Sequence, residues 1–539
     1  MSLSTAHEDT FARDHLPPVE DQPAFIFDLP ELQYPDRLNA AAELLDRHVQ
    51  AGRGDRIALV FEDSQWTYRQ LLEKSAQVAN VLTRDMGLVP GNRVLLRGFN
   101  NPMMVACWFG VLRAGGIAVA TMPMLRARDL EPIIEKAQIS HALCDERLGE
   151  ELEKAAASGD CLAETGYFTA LGEGETAFDK MLARRPKKFD PLPTLSGDVA
   201  LIAFTSGTTG KPKGTVHFHR DIMSMCHCVG QGLLGLKMDD RVIGSPPIAF
   251  TFGLGALVTF PLHVGASSVL LENGSPPNLV RAIEKYRPTW CFTAPTAYRV
   301  MLEEIGEVDI SSLKNCVSAG EHLPLPVLED WKKATGIVLI NGIGATEMIH
   351  IFVSAAGQDI RPGATGKAIR GYQARVVDED MKDVPPGEIG KLAVRGPTGC
   401  RYLDDERQKV YVRNGWNLTG DAYRMDEDGY FWFMARTDDL IVSSGYNISG
   451  PEVEEVLLAH PAVRECAVIG APDDKRGQIV KAFVVPADSY KGDGKLVLAL
   501  QDHVKEHIAP YKYPREVVFI DSLPKTETGK IQRFKLKDL

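Results

Sequence analysis

From residue 205 to residue 214 the chain reads Thr-Ser-Gly-Thr-Thr-Gly-Lys-Pro-Lys-Gly, with four hydroxyls, three glycines and two lysines in ten positions. Glycines accept positive φ and close backbone approach, so successive N–H groups can turn toward one anion. The hydroxyls add donors and the lysines add charge. An apolar run, Ala200–Phe204, leads directly into the segment. That is a strand delivering a loop to its carboxyl end, where ligands of open α/β sheets bind. The GxxxxGK[ST] spacing of a Walker loop is absent. On its residues alone the segment is either a phosphate-binding loop of another design or a flexible Gly/Thr turn.

Five further segments follow in order: Ser318-Ala319-Gly320-Glu321, Gly342-Ile343-Gly344-Ala345-Thr346-Glu347, Thr419-Gly420-Asp421, Ala435-Arg436-Thr437-Asp438-Asp439 with Gly445 and Pro451-Glu452-Val453-Glu454 behind it, and Pro524-Lys525-Thr526-Glu527-Thr528-Gly529-Lys530-Ile531-Gln532-Arg533. Together with the loop they resemble the motifs of the adenylate-forming superfamily, which holds acyl- and aryl-CoA ligases, peptide-synthetase adenylation domains and luciferases. The resemblance implies a reaction in two halves. A carboxylate attacks the α-phosphorus of ATP, giving an acyl-adenylate and pyrophosphate. A thiol, that of coenzyme A, then attacks the acyl carbon and expels AMP.

The resemblance also assigns roles. Lys530 bridges the attacking carboxylate and the α-phosphate, offsetting charge where two anions meet. Thr205, Ser206, Gly207, Thr208 and Thr209 grip the β- and γ-phosphates, with Lys213 assisting electrostatically. Glu347 and Thr205 hold Mg²⁺, a cation that takes few carboxylates alongside phosphate oxygens. Thr346 belongs to the same nucleotide motif. Adenine lies between Ile343, where many relatives carry an aromatic residue, and the Gly320-Glu321-His322 backbone. Asp421 and Arg436 bind the ribose hydroxyls. Asp438 is the hinge, and Gly445 lines the pantetheine passage.

The segment Gly342–Val353, GIGATEMIHIFV, resembles benzoate-CoA ligases and relatives acting on 2-aminobenzoate. The runs Thr10–Pro18 and Leu29–Pro35 look most like the 2-aminobenzoate enzymes. An aryl acid needs a flat apolar slot. Phe252 is expected as its wall, Gly344 and Ala345 as room for the ring, and His350 at its far side. Thr251 and His350 are the candidate acceptors for an ortho amino group. His217 and His219 are weaker candidates for the same site.

These residues must be positioned by a scaffold, and its pattern is legible. Apolar runs such as Arg93–Arg97, Ile117–Thr121, Thr289–Thr293 and Ile337–Ile340 alternate with helix-period segments such as Pro102–Arg113 and Asn278–Tyr286. A helix starts at Thr67, with Gln70 as its capping-box partner and Leu71, Val78 and Leu82 on one face. Repeated βαβ units build helix-covered parallel sheets. The expected fold is α/β: a large N-terminal domain, residues 1–436, of two parallel or mixed helix-covered sheets with a small β subdomain from Gly371 to Gly396. A mobile α+β C-terminal domain, residues 437–539, carries Lys530.

Composition narrows the class. Of 539 residues, 44% are hydrophobic and 24% charged, and the net charge is −12, so non-specific binding to nucleic acid or anionic membranes is not expected. Met1–His15 has no apolar core of signal-peptide length, and the Met103–Ala120 run is broken by Arg113 and glycines. Nine cysteines with no CxxC pair indicate a reducing, cytoplasmic setting. Cys226-His227-Cys228 lacks the spacing of a zinc site. The basic run Arg184–Lys188 reads as a solvated connector. The expected partners are a small aromatic carboxylic acid, ATP and CoA, bound to a monomer or homodimer. A ligase that loads a carrier protein and a catalytically silent nucleotide-binding scaffold are the competing readings.

Overall fold

The computed structural model describes residues 4–205, 211–443, 446–473, 475–525, 531–537 and 539, with Asp438 and Asn447 described in backbone only. A six-stranded sheet runs in the order Glu164–Phe168, His141–Asp145, Arg93–Arg97, Ile117–Thr121, Val199–Thr205, Lys213–Phe218. Its strands pair in parallel except the last, which is antiparallel. A nine-stranded sheet is parallel from Leu339–Gly344 through Ile57–Phe61 and closes with antiparallel strands at both edges.

The largest core joins these two sheets. It combines Leu96 and Ala203 of the first, Leu59, Phe292 and Val317 of the second, and Trp108 and Phe109 of the helix Pro102–Arg113. Every residue of that helix is buried, which is why its sequence shows no amphipathic period. Asn101 caps it, accepting from the Met104 N–H at 3.0 Å, and Pro102 occupies the first turn, where its missing N–H costs nothing. The capping box at Thr67 is present: Gln70 N–H donates to Thr67 Oγ1 at 3.2 Å and Thr67 N–H to Gln70 Oε1 at 2.8 Å.

Two expectations need correction. The strand expected over 337–340 runs instead from Leu339 to Gly344. A Cβ on Gly342 would lie 2.8 Å from the Ile351 side chain, so the glycines let Ile351–Ser354 approach antiparallel and extend the strand. The β subdomain is also larger than Gly371–Gly396. It is a five-stranded antiparallel sheet of Gln373–Val377, Ile389–Arg395, Val412–Arg413, Trp416–Met425 and Phe431–Arg436. Thr419-Gly420-Asp421 sits inside the ten-residue strand Trp416–Met425, with Gly420 at φ +76.

Beyond Arg436 a separate five-stranded sheet forms, with Gly477–Pro486 at its centre, paired to Val463–Asp473, Ile441–Ser443 and Glu516–Phe519. The helices Gly450–Leu458 and Gly494–His507 cover it around their own core of Val453, Leu457, Leu500 and Val504. Among the described residues, no helix is long and apolar enough to cross a membrane.

Candidate active site

The strand Val199–Thr205 ends at the glycine-rich segment. Ser206, Gly207, Thr208 and Thr209 lie outside the described residues. Thr205 Oγ1 is buried with no hydrogen-bond partner among the described residues. Its antiparallel neighbour Lys213 places Nζ 3.3 Å from Glu347 Oε1 and 2.9 Å from the Tyr402 hydroxyl. That hydroxyl donates to the same Glu347 oxygen at 2.5 Å. Burial, then the Glu347 charge, push the Tyr402 phenol far above its ordinary value, so it keeps its proton. Both contacts fall on Oε1, which leaves Oε2 to face a cation. An orphaned hydroxyl and a carboxylate with one committed oxygen are a donor set that fits Mg²⁺ beside phosphate oxygens.

Tyr402 escaped the sequence reading because nothing in Arg401-Tyr402-Leu403 sets it apart. Only its bridge to Thr215 brings it beside the Lys213 strand. A fully buried network lies behind it. Arg401 donates to Asp221 Oδ2 at 2.8 Å, and His217 Nδ1 lies 3.7 Å from the same oxygen. His217 Nε2 donates to the Thr346 carbonyl at 2.7 Å. Burial opposes the Asp221 charge, yet Arg401 and then His217 hold that carboxyl well below the usual range. His217 thus fixes the turn Thr346–Met348 that carries Glu347. His219 is structural: its Nδ1 accepts from the Ala40 N–H at 3.1 Å.

On the nucleotide side, Gly320 follows the strand Asn315–Ser318 with φ +89. Glu321 Oε1 is buried and unpartnered among the described residues. His322 stacks on Phe433 with centroids 5.1 Å apart. Burial, then the charge of Arg533, lower the His322 pKa to about 4. Arg533 belongs to the C-terminal lysine motif, so the base of that motif lies by the nucleotide segment. Arg533 itself donates to both Glu454 oxygens at 2.7 and 2.8 Å. Lys525 pairs with Ile531 across the motif, and Lys530 lies outside the described residues, as does Gly445. Asp421 and Arg436 are cross-strand partners joined at 2.8 Å. Burial pushes the Asp421 carboxyl up against the pull of Arg436. Ile343, in the strand Leu339–Gly344, is half-buried and packs on the main core. Asp438 falls in the short turn Thr437–Asp439.

The expected acid slot is compact. Thr251 and Phe252 open a helical stretch, Thr251–Leu254, and Thr251 is buried. Phe252 lies 5.8 Å from the His350 ring and Phe260 4.6 Å from it. His350 is 3% exposed, and neither ring nitrogen makes a well-formed hydrogen bond among the described residues. Burial lowers its pKa to about 3, so the ring is neutral. Ile349, just before it, has φ +64. For a β-branched residue this is a strained conformation, costing on the order of 1–3 kcal/mol, and it is the residue that delivers His350. Gly255, missed in the sequence, is what makes room: a Cβ there would sit 2.5 Å from His350 Nε2. A Cβ on Gly344 would meet the His350 carbonyl carbon at 2.8 Å and the Ile351 nitrogen at 2.9 Å, so its missing side chain permits a close backbone approach. Ala345 follows in extended conformation.

Residues 45–401 match the model of the AMP-binding enzyme family, and residues 452–530 that of the AMP-binding enzyme C-terminal domain. The chain is 34% identical over 517 residues to a benzoate–CoA ligase of Thauera aromatica, covering 94% of this chain and 97% of that one. It is 33% identical over 513 residues to a 4-hydroxybenzoate–CoA/benzoate–CoA ligase of Rhodopseudomonas palustris, covering 93% and 94%. Among solved structures, an anthranilate CoA ligase in complex with anthranoyl-AMP matches with a TM-score of 0.89 at 35% identity, over 95% of this chain and 98% of that one. A benzoate CoA ligase from Burkholderia xenovorans matches with a TM-score of 0.84 at 30% identity, over 93% and 100%.

Proposed function

The chain belongs to the AMP-binding enzyme family, and we propose that it is an ATP-dependent, AMP-forming aryl-CoA ligase whose preferred acid is 2-aminobenzoate. Thr205 and Glu347 would hold Mg²⁺, which supplies positive charge against the phosphates when bound. Lys213 and Tyr402 fix the Glu347 carboxylate, and Asp421 with Arg436 would take the ribose hydroxyls. Adenine would lie between Ile343 and the Gly320-Glu321-His322 backbone. Lys530 would bring the acid carboxylate onto the α-phosphorus. In this reading residues 437–539 act as a unit that turns at Asp438 between the two halves, a rigid-body change about a few torsions, with Gly445 then lining the thiol's path.

The observation that carries the choice of acid is the neutral, buried His350, whose ring nitrogens make no well-formed hydrogen bond among the described residues, packed beside Phe252 and Phe260. A neutral imidazole offers one lone pair and one N–H, so it can accept from an ortho amino group where a phenyl edge would leave it unmatched. The 34% identity to a benzoate–CoA ligase supports benzoate as the second reading.

The test is a competition. Protein, ATP, Mg²⁺ and CoA are mixed with equal 2-aminobenzoate, benzoate, hydroxybenzoates and a medium-chain fatty acid, and thioesters are resolved by mass with AMP assayed in parallel. Predominant anthraniloyl-CoA is expected. Predominant benzoyl-CoA would retain the reaction and remove the amino-group argument, and AMP without thioester would point to a carrier-protein acceptor. In Thr251→Ala, the kcat/KM ratio of 2-aminobenzoate to benzoate should fall by about three- to tenfold, the worth of one hydrogen bond. An unchanged ratio would take Thr251 out of selection.

A further inference from the structure

A recess of about 450 Å³ opens at the end of the nine-stranded sheet away from the acid slot. Leu236, Lys237 and Met238 on its rim precede the strand Arg241–Gly244, whereas the slot residue Thr251 follows that strand. Arg47, His227, Lys237 and His263 line it against the apolar Leu236 and Met238. No carboxylate lines it among the described residues. Of the nearby acids, Asp240 and Asp239 are engaged elsewhere, and Glu43 pairs loosely with Arg47 itself. Asp240 accepts from the Lys237 N–H and Thr289 Oγ1, each at 2.8 Å, and Asp239 from Arg56 at 2.9 Å. Glu43 stands 3.9 Å from Arg47. In a chain of net charge −12, this is a local concentration of positive charge with an apolar floor.

His263 is the telling residue. It is 5% exposed, lines the recess, and has neither ring nitrogen partnered among the described residues. The His227 ring meets it edge-on at 4.7 Å, and the Tyr34 hydroxyl lies 3.0 Å from His227 Nδ1. Arg47 donates to the His263 carbonyl, so the guanidinium and the imidazole are fixed relative to each other. A buried polar group without a partner costs about 1–3 kcal/mol, and a ligand acceptor would remove that cost. Burial, then the charge of Arg47, keep His263 neutral, with an N–H to offer.

The local backbone is unusual as well. Three π-helical stretches, Ala42–Asp46, Cys226–Leu233 and Gly255–Thr259, gather around this region. Such turns are rare and recur at functional sites. His263 sits near the C-terminal end of the continuous helical run whose first residues are Thr251 and Phe252, about 18 Å away at roughly 1.5 Å per residue.

We propose that this recess is a second ligand site, for a small organic carboxylate with an apolar body. The carboxylate would sit between Arg47, Lys237 and the His263 imidazole, and the body on Leu236 and Met238. The inference goes beyond the proposed reaction and does not rest on it, because the recess shares no residue with the acid slot.

Imidazole spectra of protein labelled with [¹³C]histidine read the site directly, with the His263 signal assigned by its loss in His263→Gln. Benzoate and hexanoate should each shift that signal saturably. Inorganic phosphate, which has charge without an apolar body, should bind roughly tenfold more weakly. Arg47→Gln and the exposed Lys237→Gln should each weaken benzoate by roughly tenfold, the loss of one charge-assisted contact, with the other histidine signals unchanged as the check on folding. Absence of a saturable shift with either acid would overturn the site. Equal affinity in both charge variants would also overturn it, and phosphate binding as well as benzoate would overturn the assignment to carboxylates with an apolar body.

Discussion

The body of the molecule up to Arg436 and the unit beyond it hold their charges in opposite ways. In the body the groups around the site are buried and committed to one another. Arg401 and Asp221 are both fully buried, and Glu347 is gripped by Lys213 and Tyr402. In the C-terminal unit the corresponding pairs, Arg533–Glu454, Lys512–Glu452 and Lys525–Glu465, are all partly exposed. Among the described residues, the hydrogen bonds and ion pairs that cross between the two include Leu325 N–H to Glu455 at 3.1 Å, Arg299 to Glu465 at 3.8 Å, and Ser449 to the Met434 carbonyl. A buried charge network is preorganised and expensive to disturb, while a thin polar contact resembles the interfaces across which domains move. The body holds a fixed charge distribution, and a thin seam is what the proposed turn of the C-terminal unit at Asp438 requires.

The strongest way to break that division is Lys530→Ala. On the proposed role of Lys530 at the α-phosphate, its loss should lower adenylation by roughly 10²–10³, or about 3–4 kcal/mol. Thioester formation from synthetic acyl-adenylate and CoA should proceed near the unmodified rate. Measuring the two halves separately decides it, and equal loss in both would mean that the unit does not exchange roles.

Tyr402→Phe probes the body. It removes the hydroxyl that donates to Glu347 and accepts from Lys213, leaving the carboxylate less well fixed. Adenylation should fall by about tenfold, on the order of 1–2 kcal/mol, with a higher Mg²⁺ requirement. A merely structural tyrosine would change the melting temperature and leave the Mg²⁺ dependence alone.

The contrast also shows what a sequence can reveal. The helix from Tyr68, the buried helix Pro102–Arg113 and most C-terminal elements were legible, because caps, periods and apolar runs are local signals. The loop 205–214 stood out by its dense, unusual chemistry, and the other motifs only through their resemblance to the family whose models match the chain. What stayed hidden was set by tertiary approach. Tyr402 acquires a role only by meeting Lys213 and Glu347 from a distant segment. Gly255 matters only because the His350 ring fills its space. Ile349 shows its strain only in its φ. The β subdomain extends past Gly396 because Trp416–Met425 and Phe431–Arg436 pair onto its sheet, a match between distant segments that no local pattern announces.

Acid should separate the two regions next. His219 and His350 are buried in the body, with pKa lowered to about 3 by burial. Below the ordinary value near 6.5 the unfolded chain binds protons that these native residues refuse, so stability falls as pH drops from about 6.5 toward 4. Each contributes up to about 1 kcal/mol per pH unit, and the loss levels off below the folded values. The C-terminal unit has His460, His503 and His507, none of them buried. Hydrogen exchange followed by mass spectrometry between pH 7 and 5 should show protection lost in the body's core strands before those of the C-terminal sheet. Loss in the reverse order would contradict the assignment of acid sensitivity to these buried rings.

The smallest effect is expected at the seam itself. Arg299 and Glu465 are both partly exposed, and at 3.8 Å they are beyond direct hydrogen-bond range. Glu465 already holds Lys525 at 2.7 Å within its own unit. Exposed pairs of this kind contribute about 0–1 kcal/mol and are screened by salt. Arg299→Gln should therefore leave the melting temperature within about 1–2 °C and change the ratio of the two half-reaction rates by less than about threefold. A larger change in that ratio at low salt, vanishing at high salt, would mean that this one ion pair biases where the C-terminal unit rests. The seam would then be a latch, not a loose contact.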